Sequence, residues 1–186
     1  MALWTVEHAN FLRSEEFENP RRWALNGSGM TMRQIRDALR ENDKLFAYGF
    51  HKCKDGHTLR TAAGCPQCHP RYLVKSRESI TPGCIYLLRS PSTELVKVGL
   101  SKNPDDRLYM ARLQGYGGIY DWKLEISLYV VRMGKAESAV KRLLSEYKIA
   151  RPWIRQGEPT IAKEVYQCPW LVALDAFSKG SQDFWG

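Results

Sequence analysis

The chain contains no run of about 18 apolar residues, the length a membrane-crossing helix needs. Its first stretch, MALWTVEHANFLRSEEF, is broken by acids where a secretory leader requires an uninterrupted apolar segment. These two absences lead us to expect a soluble, cytoplasmic protein. No internal repeat or low-complexity tract is present, which excludes a solenoid or an array. Cysteine is scarce and odd in number: there are five, and three of them fall within sixteen residues beside a histidine. A secreted disulfide framework is not built that way, whereas metal ligation in a reducing compartment is.

What is there is ordinary for a folded protein: 186 residues, 44% hydrophobic and 26% charged, enough for one domain with an extension or two small ones. Lys and Arg outnumber Asp and Glu by 28 to 20, so a polyanion, either nucleic acid or an anionic surface, is the expected partner. The excess is uneven. Residues 1–49 carry 7 basic and 7 acidic side chains, residues 50–82 carry 6 and 2, and residues 83–186 carry 15 and 11. We read three parts: a helical N-terminal segment (1–49), a strongly basic segment that holds the three clustered cysteines and a linker (50–82), and a C-terminal domain (83–186).

In the first part, TMRQIRDALREN has Thr31 placed to cap a helix and Gln34 placed to close a capping box, with Ile35, Ala38 and Leu39 on one face. Arg33, Arg36 and Arg40 are then read as a solvated face. The preceding segment, with Trp4, Phe11, Leu12, Phe17 and Trp23, reads as helical and packed.

The second part contains CKDGHTLRTAAGCPQCH. Cys53, His57, Cys65 and Cys68 stand in a C-x3-H, C-x2-C arrangement, with Asp55 and Gly56 inside the first pair and Gly64 and Pro66 around the second. Two ligands separated by a tight turn can grip one ion, and four of these donor types suit a closed, structural zinc site. His51 and His69 flank the cluster as alternatives to His57. Around it lie Lys52, Lys54, Arg60, Arg71, Lys75 and Arg77, cations suited to phosphate.

The third part holds two candidate tyrosine motifs. The literal triplet Gly118-Ile119-Tyr120 runs straight into the alternating strand DWKLEISLYVV, with no hairpin after it, so Tyr120 is read as a strand-entrance aromatic. The near miss GCIYLL behaves differently: GCIYLLRSPSTELVKVGL reads as strand, turn, strand. A helix follows, with Asn103 as N-cap, Pro104 in its first turn, Asp105 and Asp106 favourable to its dipole, and Gly115 past its end.

CIY at 84–86, KVG at 97–99, Arg107 and KEVY at 163–166, with a strand and the helix GKAESAVKRLLSEY in between, resemble the GIY-YIG nuclease superfamily, in particular its phage and bacterial branch with a Lys-Ile-Gly second motif. The resemblance implies an α/β domain: a small central antiparallel sheet flanked by helices, here preceded by a helical segment and a treble-clef or ribbon-like zinc module. It implies a metal-dependent DNA endonuclease using Mg2+ or Mn2+. Tyr86 would be the first-motif tyrosine, Lys97 would stand where many members have a second tyrosine, Arg107 would be the helix arginine and Glu164 the magnesium-binding carboxylate. A cation beside Tyr86 would lower its pKa enough for it to assist as a base, and Lys97 would supply that cation or hold the water.

Two positions depart from the family pattern. Ala111 stands where many members carry a histidine or tyrosine, with Tyr109 or Tyr116 as substitutes, and Lys141 stands where a helix histidine is common. Glu137, Glu146 and Glu158 compete with Glu164 as carboxylates, and Glu137 is read as a surface group. The expected partner is double-stranded DNA, and a homodimer would cut both strands. The alternative is a nucleic-acid-binding protein on a nuclease fold that no longer cuts.

Overall fold

The computed structural model describes residues 4–185. The chain forms two compact units that divide between Arg77 and Glu78.

The first unit opens with α1 (Val6–Ser14), capped by Thr5. Then come β1 (Ala24–Asn26), α2 (Met32–Glu41) and β2 (Phe46–Tyr48); β1 and β2 pair in parallel, with α2 as the connection between them. Thr31 and Gln34 exchange both bonds of the expected capping box, at 3.3 and 2.8 Å. Ile35 and Leu39 turn inward onto Ala47, burying the single apolar stripe that α2 possesses. Leu12 and Phe17 are also buried, and Phe17 meets Phe46 edge to face with ring centroids 5.0 Å apart. The Cys/His loop follows, and then α3 (Arg71–Glu78), in whose last turn the unit ends.

The second unit is a five-stranded antiparallel sheet in the order β5-β3-β4-β7-β6. Its strands are β3 (Gly83–Arg89), β4 (Val96–Ser101), β5 (Lys123–Val130), β6 (Lys148–Arg155) and β7 (Glu158–Tyr166). The helices are α4 (Pro104–Leu113), α5 (Met133–Leu143) and α6 (Trp170–Ser181). This mixed α/β architecture, a small antiparallel sheet flanked by helices and preceded by a Cys/His cluster, is the expected fold class.

Because strand side chains alternate between faces, β3 sends Ile85 and Leu87 to α5 and α6, and Tyr86 and Leu88 to the side covered by Ala111, Ile119 and Trp122. A bulge between Leu87 and Leu88 shifts the pairing with β5. Trp122 and Leu124 therefore face one layer while Ile126 and Leu128 face the other, a switch that an unbroken alternating sequence conceals. The strand begins at Lys123, after Trp122. β6 and β7 close through Gln156 and Gly157, both at positive φ (52° and 85°), which is the two-residue hairpin geometry. Among the described residues no helix is long and apolar enough to cross a membrane.

Candidate active site and metal centre

The first turn of the Cys/His loop is closed by Cys53 and His57, whose backbones bond at 3.0 Å, with Gly56 at φ 84° supplying the reversal. Thr61 and Gly64 close the second, with Gly64 at φ 144°. The result brings Cys53 Sγ within 3.4 Å of His57 Nδ1 and 3.5 Å of Cys68 Sγ; His57 Nδ1 lies 3.4 Å from Cys68 Sγ and 3.7 Å from Cys65 Sγ. A zinc tetrahedron with arms of ~2.3 Å to sulfur and ~2.0 Å to nitrogen has edges of about 3.5–3.8 Å. These four separations are close to that spacing and all the donors lie within 4.8 Å of one another, so the cluster can hold zinc, and it is the one such group among the described residues. His57 takes the fourth position; His51 and His69 are exposed, set edge-on against Phe50 and Tyr72.

Not all the neighbouring cations point outward. Arg60 is 6% exposed and donates to the carbonyls of His51, His57 and Leu59 at 2.6 to 3.0 Å. It pins the loop from within, and Arg77 pairs with Glu15 at 3.1 Å. Lys52, Lys54 and Arg71 are exposed.

In the second unit the candidate site lies where two strands part. β4 and β7 pair only at Val96↔Tyr166 and Lys97↔Val165. Lys97, 7% exposed, reaches from there to Glu164 Oε2 at 3.0 Å. Its ammonium also lies over the ring of Tyr116 at 4.7 Å and near that of Tyr86 at 5.9 Å. From α5, Lys141 reaches the other oxygen of Glu164 at 2.5 Å and Glu137 at 2.9 Å. Glu137, Lys141, Glu164 and Lys97 thus form one chain of ion pairs.

Tyr86, Lys97 and Glu164 are brought together, and Arg107 stands at the margin. It is exposed on α4 and makes no hydrogen bond or ion pair among the described residues, yet its charge is felt at the Tyr86 phenol. Burial pushes that phenol well above its usual range, the negative charge of Glu164 adds to this, and Arg107 only partly opposes it. Tyr86 is therefore held protonated, which corrects the expectation of a tyrosine base: desolvation outweighs the cation beside it.

Burial also disfavours the charge on Lys97 and lowers its pKa, with Glu164 opposing. Burial acts on Lys141 in the same direction, but Glu137 and Glu164 outweigh it and hold its ammonium above the usual range. Glu164, pushed up by burial, is brought down to about 2 by Lys97 and Lys141. Burial raises Glu137, whose side chain is only 13% exposed, so it is not the surface carboxylate its helical position suggests.

Tyr116, one of the two tyrosines the sequence offered as substitutes at the Ala111 position, packs tilted against Trp153 with ring centroids 5.0 Å apart and lies beneath the Lys97 ammonium. Its phenol is pushed up to about 12, foremost by burial. The one legible signal for it was its glycine-rich setting: Gly115 and Gly117, both at positive φ, fold the loop back onto the sheet. Tyr109 is 65% exposed and Tyr120 70%, the latter with its ring laid over Gly115. Ala111 is buried and offers no proton-transfer group.

Magnesium prefers a near-octahedral shell of oxygens at ~2.0–2.1 Å and keeps most of its waters. Here both oxygens of Glu164 already hold ammonium groups, and the nearest further carboxylate, Glu137, shares one of them. As it stands, this donor set suits lysine and does not fit a divalent ion.

No curated protein and no solved structure matches the chain. Residues 83–179 match the T5orf172 domain, one associated with phage and bacterial nucleases. That span holds the sheet, α4, α5, most of α6 and the whole ion-pair chain, just over half of the sequence, and so the chain belongs to the T5orf172 domain family.

Proposed function

We propose that this protein is an endonuclease of GIY-YIG type that hydrolyses phosphodiester bonds in double-stranded DNA, in a reducing compartment where the thiolates remain available to zinc. The observation that carries the reading is the convergence of Tyr86, Lys97 and Glu164 where β4 and β7 part, with an uncommitted guanidinium, Arg107, at the rim.

Hydrolysis requires a water to bond phosphorus, the phosphorane oxygens to have their charge met, and the leaving oxygen to receive a proton. Arg107 offers a fork for the non-bridging oxygens. Tyr86, protonated, donates a hydrogen bond to a non-bridging phosphate oxygen, and the attacking water gives its proton to another non-bridging oxygen, and from there to solvent, as it bonds phosphorus. Lys97, the lysine whose charge burial disfavours, is the acid best suited to give a proton to the leaving oxygen, and Glu164 holds it in place. The zinc module adds affinity through Lys52, Lys54 and Arg71, so binding falls steeply with salt.

A plasmid-nicking assay tests this. Wild type is expected to convert supercoiled DNA to nicked circles, and Tyr86→Phe and Glu164→Ala to lose that activity; cutting that both variants retain removes the site assignment. The second reading is a DNA-binding protein that does not cut, favoured by the buried Ala111, which offers no proton-transfer group. Salt-sensitive retention of DNA without nicking selects it.

A further inference from the structure

The ion-pair chain has a consequence for which cation works in the site. We propose that the ammonium of Lys141 stands where a divalent ion would be bound, so that Glu164 holds lysine in place of magnesium and the site operates without a catalytic metal.

The geometry supports this in three ways. Lys141 Nζ is 2.5 Å from Glu164 Oε1, so a magnesium ion bound to that oxygen at ~2.0–2.1 Å would overlap the ammonium. The second oxygen offers no refuge, because Lys97 Nζ lies 3.0 Å from it and is itself almost fully buried. Lys141 is also anchored from behind: Glu137 Oε1 holds it at 2.9 Å, and Glu137 is 13% exposed, so departure of the ammonium would leave a buried carboxylate unpaired. The group balances, two carboxylates against two ammonium groups, before any ion is added. Lys141 supplies the positive charge between the two carboxylates itself.

The metal-binding claim does not depend on the nuclease reading; only the activity arm of the test does. The zinc-loaded full chain is titrated with Mn2+ and the free ion followed by electron paramagnetic resonance, for wild type, Glu164→Gln, Lys141→Met and the double variant. Wild type and Glu164→Gln are expected to give superimposable curves. Lys141→Met is expected to gain one Mn2+ per chain, and the double variant to lose it. A site present in wild type and absent in Glu164→Gln overturns the proposal, as does a folded Lys141→Met that gains nothing. In the activity arm, nicking in buffer stripped of magnesium and manganese, with zinc retained, is expected to proceed within about twofold of the magnesium-supplemented rate; a strict magnesium requirement overturns the proposal. Absence of nicking in every buffer defeats the nuclease reading instead, and the Mn2+ titration then decides this inference alone.

Discussion

Tyr86 and Gly99 face each other on paired strands, and the phenol lies so close over the glycine that a Cβ there would fall 2.3 Å from its oxygen. Gly99 has no positive φ, so its need for glycine is purely one of space. Gly99→Ala must push the ring out of a buried layer. We expect a loss of about 1–3 kcal/mol, as for other overpacked cores, measured by urea unfolding, together with loss of nicking as Tyr86 leaves its place.

Tyr86→Phe keeps the ring and removes only the hydroxyl. On the proposed role, nicking falls by about 10²–10³-fold, the range for loss of one positioned donor to developing charge, while the melting temperature barely moves. Tyr120→Phe, at the literal triplet, leaves the rate unchanged. Single-turnover nicking rates of the two variants, measured side by side, check this; equal effects would contradict the choice of tyrosine.

Arg107 is exposed and makes no hydrogen bond or ion pair among the described residues. Arg107→Ala should therefore alter stability by no more than about 0.5 kcal/mol and yet suppress cutting. Arg107→Lys should recover only part of it, since an ammonium lacks the planar fork. Thermal melts and nicking rates on the same preparations separate the two effects.

Zinc content should be one per chain and vanish in Cys68→Ser. Structural zinc contributes ~10–16 kcal/mol of apparent binding free energy in small modules, far more than the short loop of residues 51–69 can supply otherwise. We expect the variant to lose the first unit's unfolding transition while the second unit's sheet persists, as read by amide hydrogen exchange and a colorimetric zinc assay.

Acid stability should carry the signature of Glu164. Its pKa in the folded chain, about 2, lies below the ordinary 4.5, so the stabilisation is fully present above pH 4.5 and is lost as pH falls towards 2. Its side chain is 39% exposed, so water screens the pair and the effect is a change of slope rather than a collapse. Glu164→Gln should flatten the fall in urea midpoint between pH 5 and about 2.5; an unchanged profile would show that the ion-pair chain contributes nothing to stability.

Much of the fold was legible because it rests on local signals. Thr31 with Gln34, and Asn103 with Pro104, announced their helices by capping, and the apolar runs around Tyr86 and Val98 announced a hairpin. The β6–β7 hairpin and α6 were not read. Their strands alternate weakly, with Ile154 and Ile161 left exposed, and the Gln156-Gly157 turn is not among the strong hairpin pairs. The bulge that turns β5 over was equally invisible, since it arises from pairing with β3.

The sequence alone determined the four residues that could hold zinc, the hairpin and helix that carry Tyr86, Lys97 and Arg107, and the basic character of the chain, because each depends on neighbours within a few residues. Only the tertiary structure decided what those side chains do to one another. It buried Tyr86 until its proton was held, turned Arg60 inward, brought Glu137 out of solvent, and closed Lys141 and Lys97 onto Glu164. The physical reason is that charge and desolvation act through space, over distances that chain separation does not encode.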